Sequence, residues 1–222
     1  MGSTIKLTAR DGVTIDAYRA EPAGSPRGGV VVLQEIFGVN PHIRSVVDRY
    51  ADQGYLALAP ALFDRVKPGL ELGYDPDGMA TGIATMKRTV EGDALNDVAA
   101  AITEAAKAGR VGVIGFCWGG TLAYAAAARL DGVAAAVGYY GGGIAAVLDT
   151  KPKVPLMLHF GERDDHIPMS SVEAIRTALP DALVYSYPAG HGFNCDARGS
   201  YDKASADLAL SRTLPFLKDH IG

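Results

Sequence analysis

Short apolar runs alternate with amphipathic stretches along the whole chain. The apolar runs predict strands at 29–34, 55–59, 111–116, 133–139, 154–160 and 182–187. The amphipathic or Ala-rich stretches predict helices at 42–53, 93–108, 118–129, 170–178 and 200–219. Near the N-terminus, segments 3–9 and 13–19 predict an antiparallel hairpin, split by Asp11 and Gly12. Regular alternation of strand and helix predicts an α/β fold, a mostly parallel central sheet with helices on both faces.

The segment from Asp64 to Gly92 departs from this alternation. Its hydrophobic periodicity is weak, and it contains glycines at positions 69, 73, 78 and 82. Long irregular segments of compact domains are often lids or binding loops, and a surface excursion with one short helix is an equally good interpretation. We therefore predict one domain over 1–222, in which 64–92 is a candidate lid or substrate-binding segment.

Composition narrows the class of protein. Of the 222 residues, 48% are hydrophobic and 21% charged, which is typical of a globular domain. A formal net charge of -4 provides no basic face for nucleic acid or anionic lipid. No apolar run reaches the roughly 18 residues of a membrane span, and two cysteines are too few for a disulfide scaffold. We expect a cytoplasmic protein, monomeric or a small homo-oligomer, whose partner is a small molecule rather than nucleic acid or membrane.

The strongest chemical signal is a Gly-x-Cys-x-Gly motif centred on Cys117. The predicted strand 111–116 precedes it and the predicted helix 118–129 follows it. This is the nucleophile-elbow pattern of a hydrolase, with cysteine in place of the usual serine. The N-terminus of the helix favours a thiolate at that position. A buried structural cysteine in a glycine-rich turn is the alternative, but strand, motif and helix together favour a nucleophile.

Candidate acid and base residues lie downstream. The loop after strand 154–160 contains Asp164 and Asp165, and the residues alone leave open which is catalytic and which closes a turn or caps a helix. His191 follows strand 182–187 and is flanked by two glycines. The order nucleophile, acid, histidine is that of α/β-hydrolases. In this arrangement the imidazole takes the thiol proton and the aspartate orients the ring.

Glu35 stands at the end of the predicted strand 29–34, where a carboxylate faces a desolvation cost and needs a partner. A salt bridge to an arginine such as Arg44 and a functional role are about equally supported. The loop after this strand is also where such hydrolases place an oxyanion-hole amide. We assign the hole to the backbone N–H groups of Ile36 and Trp118.

These motifs together resemble the dienelactone hydrolase family, the carboxymethylenebutenolidases. The resemblance covers nearly the whole chain and is carried by residues 34–40, 115–120, 138–141, 161–168 and 189–193. It implies the α/β-hydrolase fold and a Cys-Asp-His triad in which Asp164 is the acid. It also implies that Glu35 contacts the resting thiol, and that substrate binding releases this carboxylate to take the thiol proton.

The reaction implied by the resemblance is the opening of dienelactone to maleylacetate through an acyl-enzyme. The family pattern binds the substrate carboxylate with arginines, one in the segment after the second long strand and one four residues past the histidine. Here 66–87 contains no arginine, and Cys195 stands four residues past the histidine. Candidate substrate contacts are therefore Arg88, Arg198, Phe37 and Tyr140.

Three other functions compete with this interpretation. The first is a general carboxylesterase or thioesterase for another small acyl substrate, and the second is a non-catalytic small-molecule binder. The third is a redox protein that pairs Cys117 with Cys195. No cofactor or metal is expected, because His166 beside Asp164 and Asp165 has no spaced partner to complete a metal site.

Overall fold

The computed structural model describes residues 2–222 and contains one eight-stranded sheet. Strands β1 to β8 span Ser3–Thr8, Thr14–Ala20, Gly29–Leu33, Leu56–Pro60, Val111–Phe116, Val133–Tyr139, Leu156–Gly161 and Leu183–Tyr187. Their spatial order is β1-β2-β4-β3-β5-β6-β7-β8. β2 is antiparallel to both of its neighbours, and the strands from β4 to β8 pair in parallel. This is the mostly parallel sheet that the sequence predicts.

Five helices lie between strands, and a sixth follows β8. Helices α1 to α6 span Pro41–Asp52, Pro76–Arg88, Glu91–Ala105, Trp118–Arg129, Met169–Ala178 and Lys203–Ile221, and short 3-10 turns occupy Ala106–Ala108 and Ile144–Ala146. Within residues 2–222, no helix combines the length and apolar character needed to cross a membrane.

Both faces of the sheet are buried, which explains why its central strands are apolar throughout. Val30 and Val32 of β3 belong to a core cluster that includes residues of α1 and α6. Val31 and Leu33 of the same strand belong to a second cluster that includes α3. Alternate side chains of a strand point to opposite faces, so helices cover the sheet on both sides.

Helix α2 occupies part of the segment that we predicted to be irregular with at most one short helix. It has 13 residues, and the Asp75 side chain caps its N-terminus. Met79, Ile83 and Met86 recur at helical spacing along it, a periodicity that the neighbouring glycines dilute in the sequence. Of the two interpretations of this segment, the excursion with one helix therefore describes residues 76–88 better than an irregular loop does, although the helix has 13 residues.

One of those glycines allows α2 to approach the loop after β3. A Cβ atom at Gly82 would lie 2.2 Å from the carbonyl oxygen of Ile36, which is too close for any side chain. The helix backbone therefore packs directly against the segment that carries Glu35 and Ile36.

A buried polar network lies between β7, β8 and α6. His159 is fully buried, with Nδ1 2.8 Å from the Tyr187 hydroxyl and Nε2 3.1 Å from Thr213 Oγ1. Burial, together with the charge of Arg212, lowers the pKa of His159 to about 3. A neutral imidazole fits this position because each neighbouring hydroxyl can donate or accept a hydrogen bond.

We expect His159 to make folding stability fall in acid. The ordinary pKa is 6.5, so between pH 6.5 and about 3 the unfolded chain binds a proton here that the folded chain does not. Each pH unit in that window lowers the free energy of unfolding by about 1.4 kcal/mol. Urea unfolding of wild type and His159→Gln at pH 7, 6 and 5 tests this. The variant should lose less stability between pH 7 and 5, and equal losses would contradict the assignment.

Candidate active site

Cys117 lies in a tight turn between β5 and α4. Its backbone has φ 54° and ψ -117°, a conformation that is uncommon for a residue with a side chain. Its N–H donates to the carbonyl of Tyr139 at 3.0 Å. A Cβ at Gly115 would lie 1.8 Å from the oxygen of Gly119, and one at Gly119 would lie 2.4 Å from that of Leu33. The small residues of the motif are therefore required by the close approach of β3, β5 and α4.

His191 connects the thiol of Cys117 to a carboxylate. Its Nε2 lies 3.2 Å from Sγ, and its Nδ1 lies 2.7 Å from Oδ2 of Asp164. The other carboxylate oxygen accepts two backbone N–H groups of its own loop, at 2.8 and 3.2 Å. Asp165 is exposed. Of the two adjacent aspartates, the structure brings Asp164 to the histidine.

The electrostatics of this group favour a charged histidine. Burial alone would lower the pKa of His191, but its hydrogen bonds to Asp164 and Cys117 outweigh burial and raise that pKa to about 9. Burial alone would raise the pKa of Asp164. The hydrogen bond from His191 and the positive charge of His191 outweigh burial and lower the pKa of Asp164 below its ordinary value. At neutral pH an imidazolium therefore lies 3.2 Å from Sγ of Cys117.

Glu35 is buried, with 1% of its surface exposed. Its Oε1 accepts a hydrogen bond from Nη1 of Arg198 at 3.2 Å, and its Oε2 accepts one from the hydroxyl of Tyr74 at 3.1 Å. The arginine partner is therefore Arg198, whereas Arg44 pairs with a different carboxylate. Among the described residues Glu35 has no hydrogen bond to Cys117, so the contact that the resemblance implies is not formed in this structure.

Arg198 reaches this carboxylate through a loop of successive turns. The N–H of Cys195 donates to the carbonyl of Gly192, and the N–H of Arg198 donates to that of Cys195. Residues three apart in such turns return to the same side of the chain. The guanidinium carbon lies 5.7 Å from the ring centroid of Phe37 and 5.8 Å from that of Tyr74. A Cβ at Gly192 would lie 2.5 Å from Nη1, so this glycine leaves room for the guanidinium.

A cavity of about 550 Å³ opens at Cys117. Its lining brings together six of the candidate residues: Ile36, Phe37, Cys117, Trp118, His191 and Arg198. The lining also includes Met79, Ile83 and Met86 of α2. We call these three side chains the α2 wall. The sequence offered two signals for this wall, the aspartate–proline pair at the start of α2 and the helical spacing of its apolar residues.

The two residues assigned to the oxyanion hole, Ile36 and Trp118, both line the cavity. Ile36 follows β3, and Trp118 is the first residue of α4, where N–H groups have no partner within the helix. Within residues 2–222, neither N–H donates to a backbone carbonyl. The Trp118 ring stacks on Phe63 with centroids 5.2 Å apart, so this side chain both packs on the core and lines the cavity.

Two candidate substrate contacts do not line the cavity. Arg88 is exposed at the end of α2, and it follows Met86 by two residues, or about 200° around the helix. Its side chain therefore points away from the α2 wall. Tyr140 is fully buried, and its ring centroid lies 5.1 Å from that of His191. Because its φ is 40°, the backbone turns after β6 and the ring packs into the core against Phe193.

Other residues at the site had weak or no sequence signals. His166 lines the cavity, and its ring meets that of His191 edge-on at 5.1 Å. Tyr74 contacts Glu35 across 39 positions of the chain, which no local pattern reveals. Cys195 is fully buried, and burial together with the charge of Glu35 raises its pKa to about 11. A thiol that stays protonated is a poor nucleophile, which weighs against the redox interpretation.

Comparisons with known proteins agree with the resemblance. The family model described as "Dienelactone hydrolase family" matches residues 15–221. A "Carboxymethylenebutenolidase" of Pseudomonas putida is 36% identical, over 96% of this chain and 94% of its own. A "Putative carboxymethylenebutenolidase" of Synechocystis sp. is 39% identical, over 92% of both chains.

A solved structure supports the same conclusion about the fold. The crystal structure of a "Putative Dienelactone Hydrolase" from Klebsiella pneumoniae has 31% sequence identity and a TM-score of 0.84. The match covers 99% of this chain and 100% of that one. The predicted α/β-hydrolase fold is thereby confirmed.

Proposed function

The chain belongs to the dienelactone hydrolase family, and we propose that it opens an unsaturated lactone through a Cys-Asp-His triad and an acyl-enzyme. The family assignment makes it an ester hydrolase. The observation that carries the finer proposal is the hydrogen-bonded series from Asp164 through His191 to Cys117, located at the cavity. Each role in the triad is filled by a residue type suited to it: nucleophile, base and orienting acid.

In the first half of the reaction, the thiolate of Cys117 attacks the lactone carbonyl. A bond forms between Sγ and the carbonyl carbon, and negative charge develops on the carbonyl oxygen. The N–H groups of Ile36 and Trp118 stabilise that charge. When the intermediate collapses, the ring C–O bond breaks and the oxygen leaves as an enolate. His191 supplies the proton that the leaving oxygen takes.

In the second half, water releases the acyl group. His191, now neutral, takes a proton from a water molecule that attacks the thioester carbonyl, and the same two amides hold the oxyanion. The C–S bond breaks, and the thiolate and imidazolium are restored. Asp164 keeps the ring in one orientation through both halves. From dienelactone the product is maleylacetate.

Arg198 is the best candidate for binding the carboxylate of such a substrate. It provides a planar guanidinium at the cavity, as carboxylate recognition requires. Its present partner is Glu35. A substrate carboxylate that replaced Glu35 at this guanidinium would leave Glu35 with only its bond to Tyr74. Glu35 then takes the proton of the resting Cys117 thiol, which forms the thiolate beside the imidazolium of His191, and it returns that proton to the sulfur once the acyl group has left. This links substrate binding to the activation of Cys117.

We expect Glu35→Gln to lower turnover with little loss of stability. Glutamine keeps an oxygen for the Tyr74 hydroxyl but cannot take a proton or hold the charge of Arg198. Loss of one proton-transfer group usually costs about 10²-fold or more. The measurement is kcat together with urea unfolding, and Glu71→Gln is the matched control, because Glu71 is an exposed carboxylate that also pairs with an arginine. Strong destabilisation with unchanged specific activity would make Glu35 structural.

A general carboxylesterase or thioesterase is the second candidate function. It is favoured by the absence of arginine from residues 66–87 and by Cys195 at the position of the other family arginine. Arg88 does not reach the cavity, so Arg198 is the one arginine that residues 2–222 contribute to its lining. Fewer cations would suit a substrate that carries no carboxylate.

Dienelactone ring opening, followed by loss of ultraviolet absorbance, decides between the two functions. Wild type and Cys117→Ala are assayed in parallel on dienelactone and on p-nitrophenyl acetate. Rapid opening by wild type alone supports the lactonase. Cleavage of p-nitrophenyl acetate that depends on Cys117, without ring opening, supports the esterase. Activity on neither substrate would contradict both.

The remaining features of the proposal concern the whole chain. We propose that 1–222 is a single domain, since all eight strands share one sheet. Within 64–92, the α2 wall is the part that meets the substrate. The partner is a small-molecule ester or lactone, in keeping with the net charge of -4. We also propose a cytoplasmic location, as a monomer or small homo-oligomer.

A further inference from the structure

The cavity extends from the reacting thiol onto an apolar surface. The α2 wall contributes three apolar side chains, and Ile36 and Trp118 add two more to the same lining. Methionine is unbranched and flexible, so a wall with two methionines adapts to ligands of different shape. Such a surface binds by removing apolar area from water rather than by fixed polar contacts.

The charged groups of the lining are already matched within the protein. Arg198 pairs with Glu35, and Glu91 pairs with Arg129. His191 is held by Asp164. Apart from Arg198, whose guanidinium a substrate carboxylate takes over from Glu35, the lining that residues 2–222 provide leaves no acid or arginine for the rest of the substrate. Besides Thr89, Thr121 and His166, the remaining residues of the lining are apolar or glycine.

The apolar surface of this wall reaches solvent. Ile83 lines the cavity, yet 37% of its surface is exposed. Val90 is 61% exposed and lies between Thr89 and Glu91, both of which line the cavity. A ligand that covers Ile83 gains the free energy of burying this area, about 25 cal/mol per Å². No side chain of residues 2–222 covers this exposed part of Ile83.

The volume also exceeds what a small lactone needs. A cavity of about 550 Å³ lies within the range of sites that enclose drug-sized ligands. A single lactone ring with a short carboxymethylene arm fills only a fraction of it. The unfilled part would hold water against the apolar wall, which weakens binding of a small substrate.

We propose that the substrate carries an apolar group of several carbons, on the acyl or the alcohol side of its ester or lactone bond, and that this group lies along the α2 wall. The proposal rests on the hydrolase function proposed above and names the class of substrate. Met79, Ile83 and Met86 are then the residues that determine specificity for the apolar group.

Two homologous ester series test the proposal. p-Nitrophenyl esters from acetate to decanoate lengthen the acyl side, and acetates of ethanol to octanol lengthen the alcohol side. We expect kcat/KM to rise in at least one series, by up to about four-fold for each added methylene until the cavity is filled. A flat or falling profile in both series would overturn the proposal. Opening of dienelactone without cleavage of any of these esters would likewise overturn the proposal. If neither the esters nor dienelactone is cleaved in a Cys117-dependent way, the hydrolase function fails instead.

A pair of neighbouring variants assigns the effect to the α2 wall. Ile83→Ser removes apolar area at the cavity, whereas Ala84→Ser alters the next residue, which is exposed and outside the lining. We expect the hexanoate-to-acetate ratio of kcat/KM, or the corresponding ratio of alkyl acetates, to fall by about four-fold or more in Ile83→Ser and to stay unchanged in Ala84→Ser. Met86→Gln provides a second test of the wall should Ile83→Ser fold poorly. Unchanged ratios in the folded wall variants would overturn the proposal.

Discussion

Replacing Cys117 with alanine is expected to lower kcat for hydrolysis by a factor on the order of 10⁴ to 10⁶ while leaving the fold intact. Sγ is the only atom removed, and it is the one that lies 3.2 Å from Nε2 of His191. The oxyanion amides and the cavity remain, so a small residual activity above the uncatalysed rate should persist. Because the side chain is small and partly exposed, we expect the free energy of unfolding to change by about 1 kcal/mol or less.

The second thiol provides the control for this experiment. Cys195 is buried and protonated, so Cys195→Ala should retain an acyl adduct when the protein is mixed with p-nitrophenyl acetate and quenched in acid. Mass spectrometry of wild type should find that adduct on the peptide that contains Cys117, and Cys117→Ala should lack it. Activity near wild type in Cys117→Ala would reject this residue as the nucleophile. Loss of the adduct in Cys195→Ala would implicate the other thiol.

The parts of the site that depend on local sequence could be predicted. Gly115, Cys117 and Gly119 form the nucleophile elbow. Because β5, the turn and the start of α4 are contiguous in the chain, the local sequence is enough to predict the geometry of this turn. His191 could be nominated because it follows a strand and is flanked by glycines. The central strands could also be predicted from local sequence. Because both of their faces are buried, each of them is a continuous apolar run.

The choice between Asp164 and Asp165 depends on tertiary contacts instead. The N–H of Glu162 donates to the carbonyl of Tyr187, and the N–H of Arg163 donates to that of Ala189. These two bonds align the acid loop with the loop that carries the histidine, and they bring residue 164 opposite the imidazole. The residues of the loop alone allow either aspartate. The family resemblance indicated Asp164, which is the aspartate that contacts His191. The chemistry of the loop residues alone did not distinguish the two aspartates.

The surroundings of Glu35 were the least predictable part of the site. Its arginine partner lies 163 positions away, at a site reached only because the loop after the histidine folds into successive turns. Counting residues from His191 suggested Cys195 as the position to examine. The structure instead presents the guanidinium one turn later, from Arg198. A pairing of this kind depends on the path of the backbone, and neither composition nor spacing contains that path.

Asp164→Asn is expected to lower kcat on the order of 10³ to 10⁴-fold, although it changes a single atom. The carboxylate accepts Nδ1–H at 2.7 Å and so keeps Nε2 directed at the thiol. It also supplies the leading contribution that holds the pKa of His191 near 9 against burial. An amide has no charge, so the imidazolium beside Sγ loses its main support.

The pH profile distinguishes this role from a purely structural one. Activity that requires protonated His191 declines as pH rises through the pKa of that residue, near pH 9 in wild type. Asp164→Asn lowers this pKa, so the alkaline limb of kcat/KM should move to lower pH. Asp165→Asn is the matched control, because it removes the same charge from the adjacent, exposed residue and should leave both rate and profile unchanged. If Asp165→Asn instead reduced activity as much, or Asp164→Asn kept the wild-type limb, the acid of the triad would have to be reassigned.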